Sequence, residues 1–183
     1  MELVKNIKNS KLIKNLFFAL VGSIILAISS KIKIPFYPVP MTMQTFVVLF
    51  IGIAYGWKLG VATIFLYLFE GIVGLPVFSG TPEKGIGLAY FTGPTMGYLL
   101  GFVLATYMSG AFIYNKIIFF NFLKLSIATS FIYLLGVIWL GGQIGWDKPI
   151  FTLGVKPFLL AELFKILLIT FLISKIQKIK NLI

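Results

Sequence analysis

Residues 156–171 read KPFLLAELFKILLITF, an apolar helical run that carries a carboxylate at Glu162 and an ammonium at Lys165. Residues three apart lie on the same face of a helix, so the two charges are neighbours. An ionisable group inside a membrane span costs about 2.5 to 3.5 kcal/mol, and such groups usually face the protein interior and mark a ligand or ion path. Both residues are therefore site candidates. The alternative is an insertion pair, in which each charge neutralises the other so that the helix can enter lipid.

The composition around this stretch is that of an integral membrane protein. Of the 183 residues, 59% are hydrophobic and only 11% are charged, which is too little polar surface to coat a water-soluble globule. The remaining charges lie at the ends of the chain or between apolar runs that can cross a bilayer. The sequence predicts an all-α membrane protein, a single bundle of six transmembrane helices over residues 1–183. The predicted spans are 12–30, 41–56, 59–76, 90–113, 119–140 and 157–174.

Missing residue types exclude several kinds of site. Without cysteine there are no disulfides, no thiol catalysis and no cysteine-based metal sites, and without histidine there are no His-Glu-x-x-His zinc hydrolases or His triads. We predict neither a metal nor a cofactor. No Gly-x-x-x-x-Gly-Lys-Ser/Thr loop is present to hold ATP phosphates. Active transport would therefore need an ATPase partner, unless the chain is a facilitator or an ion-coupled carrier.

All sixteen basic residues are lysines, and their distribution predicts the orientation of the chain. The net charge of +11 would suggest nucleic acid in a soluble protein, but in a membrane protein cytoplasmic segments carry the excess of lysine. Both termini are therefore predicted to be cytoplasmic, in a multi-pass protein of the cell membrane. The cytoplasmic side would hold Lys5, Lys8, Lys11, Lys14, Lys58, Lys116, Lys124, Lys175, Lys178 and Lys180, and the outer loops would hold Lys31, Lys33, Lys84, Lys148 and Lys156.

The first predicted span contains a row of small side chains at Ala19, Ser23 and Ala27. Small residues spaced by four make a groove that allows close helix contact. The row could dock a membrane partner, or it could pack inside the bundle. The lysine-rich start followed by an apolar run also fits a cleaved signal peptide, but the small-residue row favours a helix that stays.

Two further polar side chains are candidates for a ligand site. Gln44 offers a donor and an acceptor about one turn inside the second span, which suits a ligand with an amide or ureido group, or a bond to a neighbouring helix. Before it, residues 35–40 contain three prolines, which predict a stiff, extended loop. Tyr98 could stack on a flat ligand or anchor its helix at the membrane interface.

Glycines mark a close approach in the fourth span and a flexible loop before it. Gly93, Gly97 and Gly101 recur every four residues and predict one helical stripe. The loop over residues 79–87 is glycine-rich and is expected to be flexible. Glu70 lies near the outer end of its span, where headgroups or loop lysines would account for it.

Four motifs follow in order along the chain: VPMTMQT at 39–45, GLPVF at 74–78, GPTMGYLLGF at 93–102, and KPF at 156–158 with the acid and Lys165 that follow. Together they resemble the BioY family, the biotin-binding S components of energy-coupling factor (ECF) vitamin transporters. The resemblance runs from about residue 16 to 175. Ala161-Glu162 stands where the family usually has Gly-Asp, so the carboxylate is one methylene longer.

The resemblance implies six helices with both ends cytoplasmic and a biotin pocket near the outer face. Gln44, Tyr98, Glu162 and Lys165 would then lie at or near the pocket. Ala19, Ser23 and Ala27 would face a membrane-embedded coupling (T) subunit, which works with two ABC ATPase subunits.

The chemistry of biotin suits these residues, but rival functions stay open. Its ureido ring has two N–H donors and a carbonyl; a glutamate accepts the donors, and an ammonium meets the carbonyl or the ligand's carboxylate. Glu162 lies about 7.5 Å from the predicted outer end of its helix, which suits uptake. The rivals are an S component for riboflavin or thiamine, an intramembrane enzyme pairing Glu162 with Glu70, and a structural subunit without a ligand.

Overall fold

The computed structural model describes residues 2–83 and 85–180, with side chains from residue 11 onward. The ends of the predicted 1–183 domain, and Lys84 from the lysine distribution, lie outside the described residues. The helices are α1 (Glu2–Lys31), α2 (Gln44–Ile72), α3 (Leu88–Phe91), α4 (Met96–Ala111), α5 (Ile118–Ile144), α6 (Ile150–Gly154) and α7 (Leu159–Lys180), with a 3-10 turn at Lys156–Phe158. Two short strands, β1 (Lys33–Ile34) and β2 (Met41–Thr42), form an antiparallel hairpin.

Helix α2 is two antiparallel arms, 44–55 and 57–72, because the chain reverses at Gly56. That glycine has φ +72° and ψ 170°, a backbone conformation that side-chain-bearing residues rarely adopt. The Gln44 amide nitrogen lies 2.7 Å from the Tyr67 hydroxyl. In an uninterrupted helix, residues 23 apart would be about 35 Å apart. The second and third predicted spans are therefore separate helices, as expected, with a turn of a single residue.

The fourth predicted span is broken near its start. The sequence predicts one helix over 90–113 with Gly93 in its stripe, but α3 and α4 are separate and Gly93 lies between them. The physical reason is Pro94, which disfavours helical geometry at the preceding residue. Gly97 and Gly101 do lie in α4 and pack directly on the backbone of α5 at Leu135 and Ile132.

The other boundaries differ by several residues from the predicted spans. The second arm of α2 ends at Ile72, before the predicted end at Pro76, and Gly74 turns the chain with φ +100°. Helix α5 ends at Ile144, beyond the predicted end at residue 140. Helix α7 follows the short α6 and the 3-10 turn and ends at Lys180, beyond the predicted end at residue 174. Counting the two arms of α2 and leaving out the short α3 and α6, the described residues form six helices.

Helix α2 lies in the middle of the bundle, in contact with α1, α4 and α7, while α5 packs on α4 and α7. Within the described residues, four helical segments are long and apolar enough to cross a membrane, and Met96–Ala111 is a shorter apolar helix. Much of the outer surface is apolar, as shown by Leu12 and Ile13 on α1, each 68% exposed. Such a surface suits contact with lipid. The protein is therefore a mostly helical, multi-pass membrane protein.

Candidate functional site

A cavity lies inside one end of the bundle, the end that carries the β1–β2 hairpin. It is formed by the hairpin and the first turn of α2, by the loop between α2 and α3, by α3, and by α4, α5, the 3-10 turn and α7. Its free space, counted together with the open solvent at its mouth, is about 510 Å³. The lining residues are Val39, Pro40, Met41, Thr42, Gln44, Thr45, Ser79, Tyr90, Thr95, Tyr98, Leu99, Phe102, Ile132, Tyr133, Phe158 and Glu162.

The predicted charge pair forms at the base of this cavity. The Lys165 ammonium donates to Oε1 of Glu162 at 2.7 Å, and both side chains are buried. The Thr45 hydroxyl donates to the same oxygen at 2.8 Å. A buried ion pair is held only when additional hydrogen bonds satisfy its polar atoms. Here Thr45, in the first turn of α2, forms hydrogen bonds with both members of the pair in the first turns of α7.

One oxygen of the Glu162 carboxylate accepts no hydrogen bond from the described residues, although the Tyr133 side chain lies close to the carboxylate. Oε2 is buried and accepts no hydrogen bond from the described residues, while Oε1 accepts two. The Ser79 hydroxyl, in another wall of the cavity, is also buried without a partner among them. Unsatisfied buried polar groups are rare and costly in folded proteins. Because both belong to residues that line one cavity, this cavity is the candidate site.

Lys165 lies behind Glu162, outside the cavity lining. Its ammonium donates to Glu162, to the Thr45 hydroxyl at 3.0 Å and to the Thr42 carbonyl at 2.6 Å. An ammonium has three protons, so all three have acceptors. The contact that Lys165 makes in this structure is with the carboxylate, which it orients. A direct contact with a ligand would require it to release one of these acceptors.

Gln44 and Tyr98 both line the cavity, and both also have structural partners. Gln44 donates to the Tyr67 hydroxyl at 2.7 Å, and its carbonyl oxygen lies 3.3 Å from the Thr42 hydroxyl. The Tyr98 hydroxyl donates to the Gly154 carbonyl at 2.8 Å, so its ring is fixed as a wall of the cavity. The structure thus brings together three of the four predicted site residues in the lining and places the fourth directly behind them.

Aromatic side chains form much of the remaining wall. Tyr133 lies edge-on to Tyr98 at a centroid distance of 6.0 Å, and its ring also lies 6.1 Å from that of Phe158. Phe36 in the hairpin loop contacts Phe158 edge-on at 6.0 Å. Apolar and aromatic walls around a few fixed polar groups are typical of small-molecule sites.

The small-residue row of α1 faces the interior of the bundle. Ala19 and Ser23 are buried, and Ala27 is half-buried. The Ser23 hydroxyl donates to Glu70 at 2.8 Å. Glu70 therefore has a partner within the bundle, where headgroups or loop lysines were expected. Docking of a partner on this row stays a prediction, and it requires a conformation in which α1 exposes these residues.

Sequence reasoning missed the cavity residues Thr45, Ser79 and Tyr133. Thr45 stands next to Gln44 in the quoted motif, and its hydroxyl, a hydrogen-bonding group beside a site candidate, could have identified it. Ser79 directly follows the GLPVF motif, in a loop that was expected to be flexible. Tyr133 carries no local signal in the apolar fifth span. Its place in the site depends on the packing of α5 against α4 and α7.

Comparisons with known proteins identify the family. A sequence profile described as the BioY family matches residues 4–181. A relative named "Probable biotin transporter BioY" from Pyrococcus horikoshii is 35% identical over 139 residues, covering 76% of this chain and 81% of the relative. A protein with the same name from Rickettsia prowazekii is 34% identical over 164 residues, covering 87% and 81%.

A solved structure has the same fold. The crystal structure of the S-component for biotin from an ECF-type ABC transporter matches with a TM-score of 0.77 over 93% of this chain and 94% of that chain, at 24% identity. The likeness shows the arrangement of helices. Because the family profile spans residues 4–181 and the relatives align over most of their own length, the chain belongs to the BioY family.

Proposed function

We propose that this protein captures biotin and takes it up across the cytoplasmic membrane, as the S component of an ECF-type ABC transporter and not as an enzyme. The relatives from P. horikoshii and R. prowazekii are named as biotin transporters. In this proposal the six helices all span the membrane as one bundle, with both termini cytoplasmic and the hairpin outside. The cavity at the hairpin end is the biotin site.

The observation that carries the proposal is the free Oε2 of Glu162 at the cavity. A ureido ring presents N–H donors, and a buried carboxylate oxygen without a partner is the acceptor that such a donor needs. Ser79 and Gln44 offer further polar contacts, and Tyr98, Tyr133 and Phe158 offer apolar walls for the bicycle. Lys165 holds the carboxylate in place from behind.

The energy for uptake would come from partners. The sequence contains no ATP phosphate-binding loop. In the proposed assembly, a membrane-embedded coupling (T) subunit contacts this chain, and two ABC ATPase subunits hydrolyse the nucleotide. The coupling subunit would dock at Ala19, Ser23 and Ala27 after α1 shifts away from the second arm of α2.

A ligand screen tests the function. Purified protein in detergent is expected to gain thermal stability from biotin and from neither riboflavin nor thiamine. A ligand at about 100 times its Kd contributes about 2.7 kcal/mol to the free energy of unfolding, which raises Tm by roughly 5 to 11 °C in a chain of this size. Desthiobiotin, which keeps the ureido ring, is a useful second ligand. Stabilisation by riboflavin or thiamine alone would assign the chain to another vitamin.

Orientation can be tested because the chain contains no cysteine. Tyr37 at the hairpin tip is 89% exposed, and Lys178 near the end of α7 is also exposed. A cysteine at Tyr37 is expected to react with a membrane-impermeant thiol reagent in intact cells, and a cysteine at Lys178 is expected to react only after lysis. The opposite labelling pattern would reverse the direction of uptake.

A further inference from the structure

Side chains from α1, α2 and α3 hold residues 77–79, of which the last, Ser79, lines the cavity. Three consecutive carbonyls of this segment, which we call the wall segment, each accept a side-chain hydrogen bond. The Val77 carbonyl accepts from Ser30 at 2.7 Å and Tyr67 at 3.0 Å, the Phe78 carbonyl accepts from Lys31 at 2.9 Å and Thr81 at 2.7 Å, and the Ser79 carbonyl accepts from Tyr90 at 2.9 Å.

The side chain at the centre of the wall segment, Phe78, is buried between aromatic rings. Phe78 is 1% exposed, stacks on Tyr90 at a centroid distance of 4.7 Å and meets Tyr67 edge-on at 5.2 Å. Its ring lies directly on Gly71, where no side chain would fit. The wall segment is thus anchored by both hydrogen bonds and aromatic packing, and it shares its last residue, Ser79, with the loop over 79–87 that was expected to be flexible.

Ser79 is the residue of the wall segment whose side chain carries a hydroxyl. Its carbonyl accepts a hydrogen bond from Tyr90, while its hydroxyl is buried without a partner among the described residues, in a residue that lines the cavity. The position of this hydroxyl depends on how the wall segment is held. Any movement of residues 77–79 would change the shape of the site.

Lys31 provides the charged contact to this region. It is the last residue of α1, and its ammonium donates to the Phe78 carbonyl and to the Thr81 hydroxyl at 3.0 Å, with the Thr81 carbonyl at 3.4 Å. Hydrogen bonds from a charged donor are stronger than neutral ones. These bonds join the end of α1 to residues 47 and 50 positions further along the chain.

We propose that Lys31 is a positioning residue for the ligand site: it fixes the wall segment to the end of α1, keeps the Ser79 hydroxyl in the cavity wall and slows ligand release. The effect on the ligand rests on the proposed biotin site. The positioning itself does not, because it can be measured without any ligand.

The ligand-free test places a thiol in the wall segment. With Ser79→Cys as the sole cysteine, the rate of reaction with a small thiol reagent reports how often this buried position opens. Adding Lys31→Met is expected to speed labelling several-fold, because loss of hydrogen bonds from a charged donor favours the open state, although the exposed position of Lys31 weakens each bond. Lys31→Arg keeps a charged donor. In the Ser79→Cys background, this variant is expected to be labelled nearly as slowly as Ser79→Cys alone.

The matched control is Lys33→Met. Lys33 lies two residues further along, is exposed like Lys31, and its ammonium makes no hydrogen bond to any side chain or carbonyl in the described part of the chain. Its charge repels that of Lys31, so removing it cannot weaken the Lys31 bonds, and Lys33→Met should not speed labelling. Equal labelling rates for Lys31→Met and Lys33→Met would overturn the proposal. A labelling rate for Lys31→Arg as high as that for Lys31→Met would overturn it as well. If Lys31→Met does not fold, Lys31→Gln keeps a neutral donor of similar length in place of the ammonium and gives the same comparison with a smaller expected increase.

The ligand test uses the chain with Ser79 intact. Biotin is expected to dissociate faster from Lys31→Met than from Lys33→Met, with little change in the association rate. Unchanged dissociation together with faster labelling would remove the ligand part of the proposal. If the wild-type chain binds no biotin, the proposed function fails, while the labelling rates still decide the role of Lys31.

Discussion

Glu162→Gln is expected to weaken biotin binding by at least about tenfold, because a hydrogen bond to a charged group contributes about 1.5 to 3 kcal/mol and tenfold in affinity is about 1.4 kcal/mol. The amide keeps the shape of the carboxylate but turns one acceptor into a donor. If the amide nitrogen replaces Oε2, it faces an N–H of the ureido ring. If it replaces Oε1, it faces Lys165 and Thr45. Isothermal titration of the purified variant with biotin measures the loss.

The variant also leaves the Lys165 ammonium buried without its counter-charge, which is strongly destabilising. The double variant Glu162→Gln with Lys165→Met removes both charges and separates this effect from loss of the ligand contact. Glu70→Gln is the matched control, since that carboxylate also lies within the bundle but pairs with Ser23, away from the cavity lining. We expect Glu70→Gln to keep wild-type affinity for biotin.

The double variant also distinguishes a ligand site from an insertion pair. If the two charges serve only to let the helix enter lipid, removing both leaves biotin binding intact and the helix more apolar. If Glu162 binds the ligand, the folded double variant binds weakly. Near-wild-type affinity in a double variant that elutes as a single folded species would refute the site assignment.

Gly101→Val is expected to produce the largest loss of stability. A β-carbon at Gly101 would lie 2.5 Å from the Cα of Ile132 and 3.1 Å from two α5 carbonyl oxygens. Backbone cannot move aside as a side chain can, so α4 and α5 would have to separate along their contact. Overpacking typically costs about 1 to 3 kcal/mol and occasionally more. We expect the upper end of that range, with a Tm lower by about 6 to 12 °C.

The same substitution at Gly142 is the control. Gly142 lies in the last turns of α5, and a β-carbon there would have no neighbouring atom within 4 Å among the described residues. Valine is also a better helix former than glycine. Gly142→Val is therefore expected to keep the wild-type Tm. A Tm for Gly101→Val equal to that of the control would mean that the α4–α5 contact is looser than described.

Local patterns predicted the membrane class, the bundle and the charge pair well. Apolar runs separated by lysines follow from the cost of burying charge in lipid, and this cost acts on each segment by itself. The spacing of Glu162 and Lys165 places them on one helical face, and they are indeed 2.7 Å apart. The prediction failed where a local break competes with an apolar pattern, as at Pro94, which separates α3 from α4.

The sequence by itself determined that this chain is a helical membrane protein of the BioY family with a carboxylate and an ammonium side by side in its last long helix. Only the tertiary structure decided which polar atoms are free. Thr45 and Glu162, which form a hydrogen bond, are 117 residues apart, and Lys31 reaches the wall segment across 47 residues. Whether a buried oxygen is satisfied depends on such distant partners, because a hydrogen bond needs two atoms within about 3 Å wherever they lie in the chain.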